Sequence, residues 1–217
     1  MYFEVKQPTS MDPSTYVSLR CPLCKQRGTF ESVKTSDLLL RTGQVVNSQA
    51  VNYILGQRRC PNPACNTHAF FVYEQNTSKL LITYPAERID FDSTDLPPSI
   101  VACLEEAITC HAHQCFTASA MLIRKTLEEL CSDRGAKGSN LKERISQLGN
   151  KVVLPKELLA GLDNLRLLGN DAAHIESQNY NQVGKDEVEI ALAVTKEVLK
   201  AVYQYSSLVS QLQKLKK

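Results

Sequence analysis

No apolar run in this chain approaches the ~20 residues that a membrane-spanning helix needs, which predicts no membrane partner. The opening Met1-Tyr-Phe-Glu-Val-Lys6 has no apolar core of the signal-peptide kind. There is no internal repeat and no low-complexity tract. Excess charge is missing too: the net charge is +2 over 217 residues. Ten Lys/Arg face nine Asp/Glu through Ser99, and fifteen face fourteen beyond it, so neither half carries the basic footprint of a dedicated nucleic-acid binder. Contact with nucleic acid would need a local patch, and Arg58-Arg59 is the candidate. Hydrophobic content of 43% and charged content of 22% are those of an ordinary folded protein, which argues against wholesale disorder.

Cysteine, by contrast, is plentiful, with eight residues. Four stand in two knuckles, Cys21-Pro-Leu-Cys24 and Cys60-Pro-Asn-Pro-Ala-Cys65. A thiolate pair two residues apart grips one ion from a tight turn, and a second pair completes a tetrahedral shell of four sulfurs ~2.3 Å from zinc. Prolines stiffen both turns and keep strands from running through them. With every position filled by sulfur there is no room for a substrate water, so the expected zinc is structural. Zinc ligands plus reduced thiols, with no export signal, predict a cytoplasmic location. His68, three residues past Cys65, reads as a surface or neighbouring group rather than a ligand.

Around the knuckles the pattern is strand-like: Ala50–Leu55 leads into the second knuckle, Ala69–Tyr73 leaves it, and Leu80–Tyr84 follows a polar Asn76-Thr-Ser turn. Knuckle, strand, turn, strand outlines a zinc ribbon. The stretch 36–49 is polar and predicts an insertion or an extra hairpin. After an extended linker at Tyr84-Pro85 the period changes to that of helices. Asp95-Leu-Pro-Pro opens the first helix, carrying Ile100, Leu104, Ala107 and Ile108. A second runs from about Cys115 to Arg134 and stops at Gly135. A third, capped by Ser139, carries Leu141, Ile145 and Leu148. A fourth starts at Pro155 and breaks at Gly169-Asn170. The last begins near Lys185 and extends roughly thirty residues, long enough for its end to protrude or pair with a partner. The predicted class is therefore α+β: a β-rich zinc ribbon over 1–90 and an all-α bundle over 91–217.

Cys110-His-Ala-His-Gln-Cys115 has metal-binding residue types, but it sits at a helix junction where neighbouring side chains diverge; Cys103 and Cys110 recur seven apart, as core thiols do. In the second helix Arg124 and Glu128 are spaced for a pair, and the flanking Ile123, Leu127 and Leu130 predict an internal brace facing the Asn170–His174 segment. Arg166, Asn170, Asp171 and His174 crowd around the expected helix break, which makes that segment the candidate functional site.

From about Tyr84 to Tyr203 the order of motifs resembles the Domain of Unknown Function 4145 family: Asp95-Leu-Pro-Pro, Glu105-Glu-Ala, Ala118-Ser-Ala-Met-Leu-Ile-Arg124-Lys-Thr-Leu-Glu128, then Gly169-Asn-Asp-Ala-Ala-His174. Members of that family often carry a cysteine-knuckle segment before the helices. The resemblance implies a bacterial protein linked to restriction or phage defence, and a bundle similar to the HEPN superfamily, whose active members are metal-independent ribonucleases working as dimers. Those enzymes carry an arginine, usually followed by a polar residue, with four to six residues between that arginine and a histidine. Here His174 matches the histidine and Asn170 the polar residue, while Gly169 stands where the arginine belongs. Arg166 is the nearest substitute, with seven residues between it and His174.

Cutting RNA with its own 2′-hydroxyl needs a proton acceptor and a cation on the phosphate. The expectation is thus a non-catalytic binding and dimerisation module, a homodimer whose ribbon docks on nucleic acid or a defence-system protein. The alternatives are a HEPN-type endoribonuclease using Arg166 and His174 at a dimer interface, and a transcription-linked zinc protein holding DNA through Arg58, Arg59 and nearby aromatics.

Overall fold

The computed structural model describes residues 8–11, 16–34, 36–46, 49–174 and 183–215. The opening segment behind the localisation expectation lies outside them. The chain is α+β and divides into two compact units, Met1–Arg88 and Ile89–Lys217, two residues before the expected boundary.

The first unit is built of short antiparallel strands: β1 (Pro8–Met11), β2 (Ser18–Arg20), β3 (Arg27–Thr29), β4 (Glu31–Ser32), β5 (Asp37–Val46), β6 (Gln49–Arg59), β7 (His68–Glu74) and β8 (Lys79–Tyr84). One sheet has the order β1-β5-β6-β7-β8, with β4 pairing the far end of β6; β2 and β3 form a separate hairpin around the first knuckle. The polar stretch 36–49 becomes the arm of a hairpin, β5 pairing β6 from Leu38↔Leu55 outward, with a bulge between Arg41 and Val45. Period-2 alternation puts Ile54, Ala69 and Phe71 on an inner face, where they meet Val17, Leu19 and Phe30 of the small hairpin and the buried Cys21 and Cys60. Phe70, Ile82 and Tyr84 stand on the opposite face and are exposed; Phe70 and Tyr84 are direct cross-strand neighbours.

The second unit contains α1 (Pro98–Ala112), α2 (Phe116–Asp133), α3 (Leu141–Leu148), α4 (Lys156–Ala173), α5 (Lys185–Leu199), a π-helical turn at Lys200–Gln204, and α6 (Tyr205–Lys214). Pro98 occupies the first turn of α1, where its missing N–H costs nothing. The apolar stripes of α1, α2, α4 and α5 converge on Leu104, Ile123, Leu127, Leu162 and Leu192. At the end of α2, Gly135 takes φ +63°, the left-handed conformation that lets the chain turn off a helix.

Two helix boundaries differ from expectation. The cap of α3 is Asn140, whose side chain accepts the Glu143 N–H at 3.0 Å; Ser139 instead donates its N–H and hydroxyl to the Glu143 carboxylate. The second difference is larger. α4 does not break at Gly169-Asn170 but runs to Ala173, and only His174 turns extended, at φ −133°. Glycine inside a helix costs about 1 kcal/mol relative to alanine, and the close crossing described below accounts for its presence there.

Candidate metal centre and the α4 constellation

The four knuckle cysteines converge: their sulfurs all lie within 4.8 Å of one another, and together they could hold a metal ion. Cys21 Sγ lies 3.6 Å from Cys65 Sγ, and Cys24 Sγ 3.7 Å from Cys60 Sγ. A tetrahedron of sulfurs about 2.3 Å from its centre has edges of about 3.8 Å, which these two edges match. The knuckles share one design. Lys25 and Asn66, each directly after its knuckle's second cysteine, take φ of 62° and 51°. The Lys25 amide donates to the Cys21 carbonyl, and the Cys65 amide to the Asn62 carbonyl.

The thiols are tuned unequally. The Thr67 hydroxyl, 3.0 Å from Cys65 Sγ, is the main cause that brings the Cys65 pKa down to about 6. Burial pushes Cys60 up to about 12. Burial also raises Cys21, but the amides of Cys24 and Leu23 outweigh it and leave the thiol below its ordinary value. A coordinated cation would favour the thiolate of all four. His68 stays outside this cluster: it is exposed on β7, with Nδ1 2.8 Å from Gln57 Nε2.

Arg58 does not form the expected nucleic-acid patch. Its side chain is fully buried and grips Asp37 with two bonds of 2.7 and 2.8 Å, under a cation–π contact of 4.5 Å with Phe71. Alternation along β6 dictates this, because Arg58 shares the inward parity of Ile54 and only Arg59 faces out. Arg59 is half-exposed and pairs with Glu31 on β4. The basic doublet therefore offers one partly neutralised guanidinium.

In the helical unit, Arg124 and Glu128 pair at 3.3 Å, and Arg124 Nη1 donates to the Arg166 carbonyl at 3.2 Å. The pair forms, with Glu128 43% exposed, but it meets α4 at Arg166 and Gly169 and not at the expected Asn170–His174 segment. A β-carbon on Gly169 would lie 2.5 Å from Arg124 Cβ and 3.1 Å from the Ala120 carbonyl oxygen. Helices α2 and α4 touch there backbone to backbone.

Arg166 turns to Asp163, donating from Nε at 2.7 Å; that bond is the main cause holding the Asp163 carboxyl below its usual range. His174 is exposed at the helix end, and its amide donates to the Asn170 carbonyl at 3.0 Å. Seven residues lie between Arg166 and His174, a rise of about 12 Å along the helix axis. Within one chain the two do not converge on a common phosphate.

Cys110, His111, His113 and Cys115 form no ligand cluster among the described residues. His111 instead turns to α5, where its Nε2 lies 3.3 Å from Glu189 Oε1, and its ring tilts against Phe116. Three residues that matter here carry no signal in the sequence: Asp37 lies in a polar stretch, Asp163 on a helix surface, and Glu189 on a helix remote in sequence from His111.

Among the described residues no helix is long and apolar enough to cross a membrane. No curated protein and no solved structure matches the chain. Residues 105–217, just over half of it, match the family described as Domain of unknown function (DUF4145). The match takes in the second half of α1 and all of α2 to α6, including the α2–α4 crossing at Arg124 and Gly169, and the chain belongs to that family.

Proposed function

We propose that this protein is a non-catalytic binding and dimerisation module of a bacterial restriction or phage-defence type system. Its four knuckle thiolates hold a structural zinc, the β unit docks on a partner, and the helical unit pairs with a second copy. Gly169 carries the non-catalytic part of this reading. A ribonuclease of the HEPN kind needs a guanidinium at that position, and the 2.5 Å approach of Arg124 leaves no room for any side chain. Arg166 is a poor replacement, because Asp163 already holds it and the helix carries it two turns from His174. Losing a preorganised charge of this kind commonly costs ~10²–10³ in rate.

A protein partner suits the β unit better than nucleic acid. Arg58 is consumed by Asp37 and Arg59 by Glu31, while the outer sheet face presents Leu55, Phe70, Ile82 and Tyr84. A contiguous apolar patch of this sort marks an interaction surface. The test is titration of the full chain into labelled single-stranded RNA and duplex DNA at rising salt. The proposal expects weak binding or none at ~0.15 M salt. Tight binding that falls steeply as salt rises, the sign of phosphate contacts releasing counterions, would replace the protein partner with nucleic acid.

A further inference from the structure

The core-facing stripe of α5 runs through Val188, Leu192, Thr195 and Leu199. Continued through the π turn in steps of three and four, it reaches Tyr203, then the polar Ser210 and Gln213. The apolar residues of α6 fall on a different face. Tyr205, Leu208, Val209, Leu212 and Leu215 are 51%, 58%, 55%, 64% and 79% exposed. They recur at the a, d, e, a and d positions of a heptad. The π turn adds a residue to the helix and rotates everything after it, so α6 leaves the bundle with its apolar side open. The turn is itself anchored: Gln204 donates to the carbonyls of Asp92 and Thr94 at 3.1 and 3.0 Å, and Tyr203 donates to Asp133 at 2.7 Å.

We infer that the α6 stripe is the seam through which two copies of this chain associate, Leu208, Leu212 and Leu215 of one copy packing against the same residues of the other. This deepens the dimerisation half of the proposed function and rests on it. Two observations favour a second copy as the occupant. The seam is self-complementary: a two-fold axis sets each leucine against its own kind, as an isologous interface requires. From Tyr205 to Gln213 its edges carry no charge, Val209 and Gln211 flanking it, and the lysines at 214, 216 and 217 gather at its C-terminal end. The area is of the right order. The five exposed residues leave on the order of 600 Å² per chain, so full coverage of both copies reaches roughly 1,200 Å², the small end of specific interfaces. A seam this short gives a reversible dimer that responds to dilution.

The experiment is light scattering of the full chain over a concentration series, beside the double variant Leu208→Asp/Leu212→Asp. The inference expects a dimer in the native chain and a dissociation constant at least about tenfold higher in the variant, with the helical signal and the melting of the core unchanged. Both positions are more than half exposed, so the substitutions leave the core intact. A variant that stays fully dimeric overturns the seam while leaving self-association standing. A native chain that is monomeric throughout overturns both. A monomeric native chain that co-sediments with phosphatidylserine vesicles, and loses that on substitution, assigns the stripe to a lipid surface and likewise overturns the inference.

Discussion

Arg58 and Asp37 lock the end of β6 to the start of β5 by two buried bonds, only two residues before the metal-knuckle Cys60. Gly56 makes room for the pair, since a β-carbon there would lie against the Asp37 carboxylate and within 2.8 Å of the Phe71 ring. The charged clamp thus sits under the second knuckle and fixes the strand that delivers it.

Removing one member strands the other in the interior. Arg58→Ala is expected to destabilise the β unit by about 3–5 kcal/mol, the usual cost of an uncompensated buried charge. The measurement is urea unfolding followed by Tyr and Phe near-UV signals, with metal content of the folded fraction assayed in parallel. The paired variant Arg58→Met/Asp37→Leu should recover much of the loss, because it leaves no charge behind. Equal damage from the single and paired variants would contradict the clamp.

Metal removal should act on one unit only. Strong chelation is expected to unfold the β unit, whose core is small and organised around the knuckles, while the helical core remains. Limited proteolysis reads this directly: cuts should accumulate before residue 89 and spare α1 to α5. Unchanged protease resistance after metal loss would contradict a structural ion.

Gly169→Ala tests the α2–α4 crossing. Alanine should gain about 1 kcal/mol as a better helix former, but its methyl group meets Arg124 Cβ, which cannot swing away, and the Ala120 carbonyl. Overpacking of this kind costs about 1–3 kcal/mol. The expected result is a melting temperature a few degrees lower. A higher one would mean that the helices part readily and that a larger side chain fits.

His111 gives the helical unit a pH dependence. Burial lowers its pKa, only partly offset by Glu189, so the folded state takes up its proton later than the unfolded chain does. The resulting stability is full above about pH 6.5, the unfolded value, and is lost as pH falls through the folded value. Melting at 222 nm between pH 7 and 5 should show this decline, and His111→Gln should flatten it. An identical slope in both proteins would remove His111 as the cause.

Much of this architecture was legible from residue spacing. Both knuckles converge as their spacing implied, and four helices start within a residue or two of their prolines and period changes. Where the sequence misled, it did so for identifiable reasons. Arg58-Arg59 looked like a surface doublet because strand alternation separates neighbours, and the carboxylate that buries Arg58 lies 21 residues away. Gly169 looked like a helix stop because glycine's local cost is visible in a sequence, whereas the close helix crossing that requires it is tertiary. The hairpin arm at 37–46 is one of the two alternatives read for that stretch, and its polar middle, which shows no alternation, could not choose between them. The brace of Arg124 was foreseeable from its apolar neighbours, though not its exact target on α4.

The most direct measurement of the central claim uses pure protein and end-labelled single-stranded RNA over hours, with the chemistry of the ends determined. Full-length RNA is expected throughout, indistinguishable from a His174→Ala control. Fragments ending in 2′,3′-cyclic phosphate that appear with the native chain and vanish in His174→Ala would contradict it, because they would show that Arg166, or the same residue on a second copy, supplies the charge that position 169 has no room to carry.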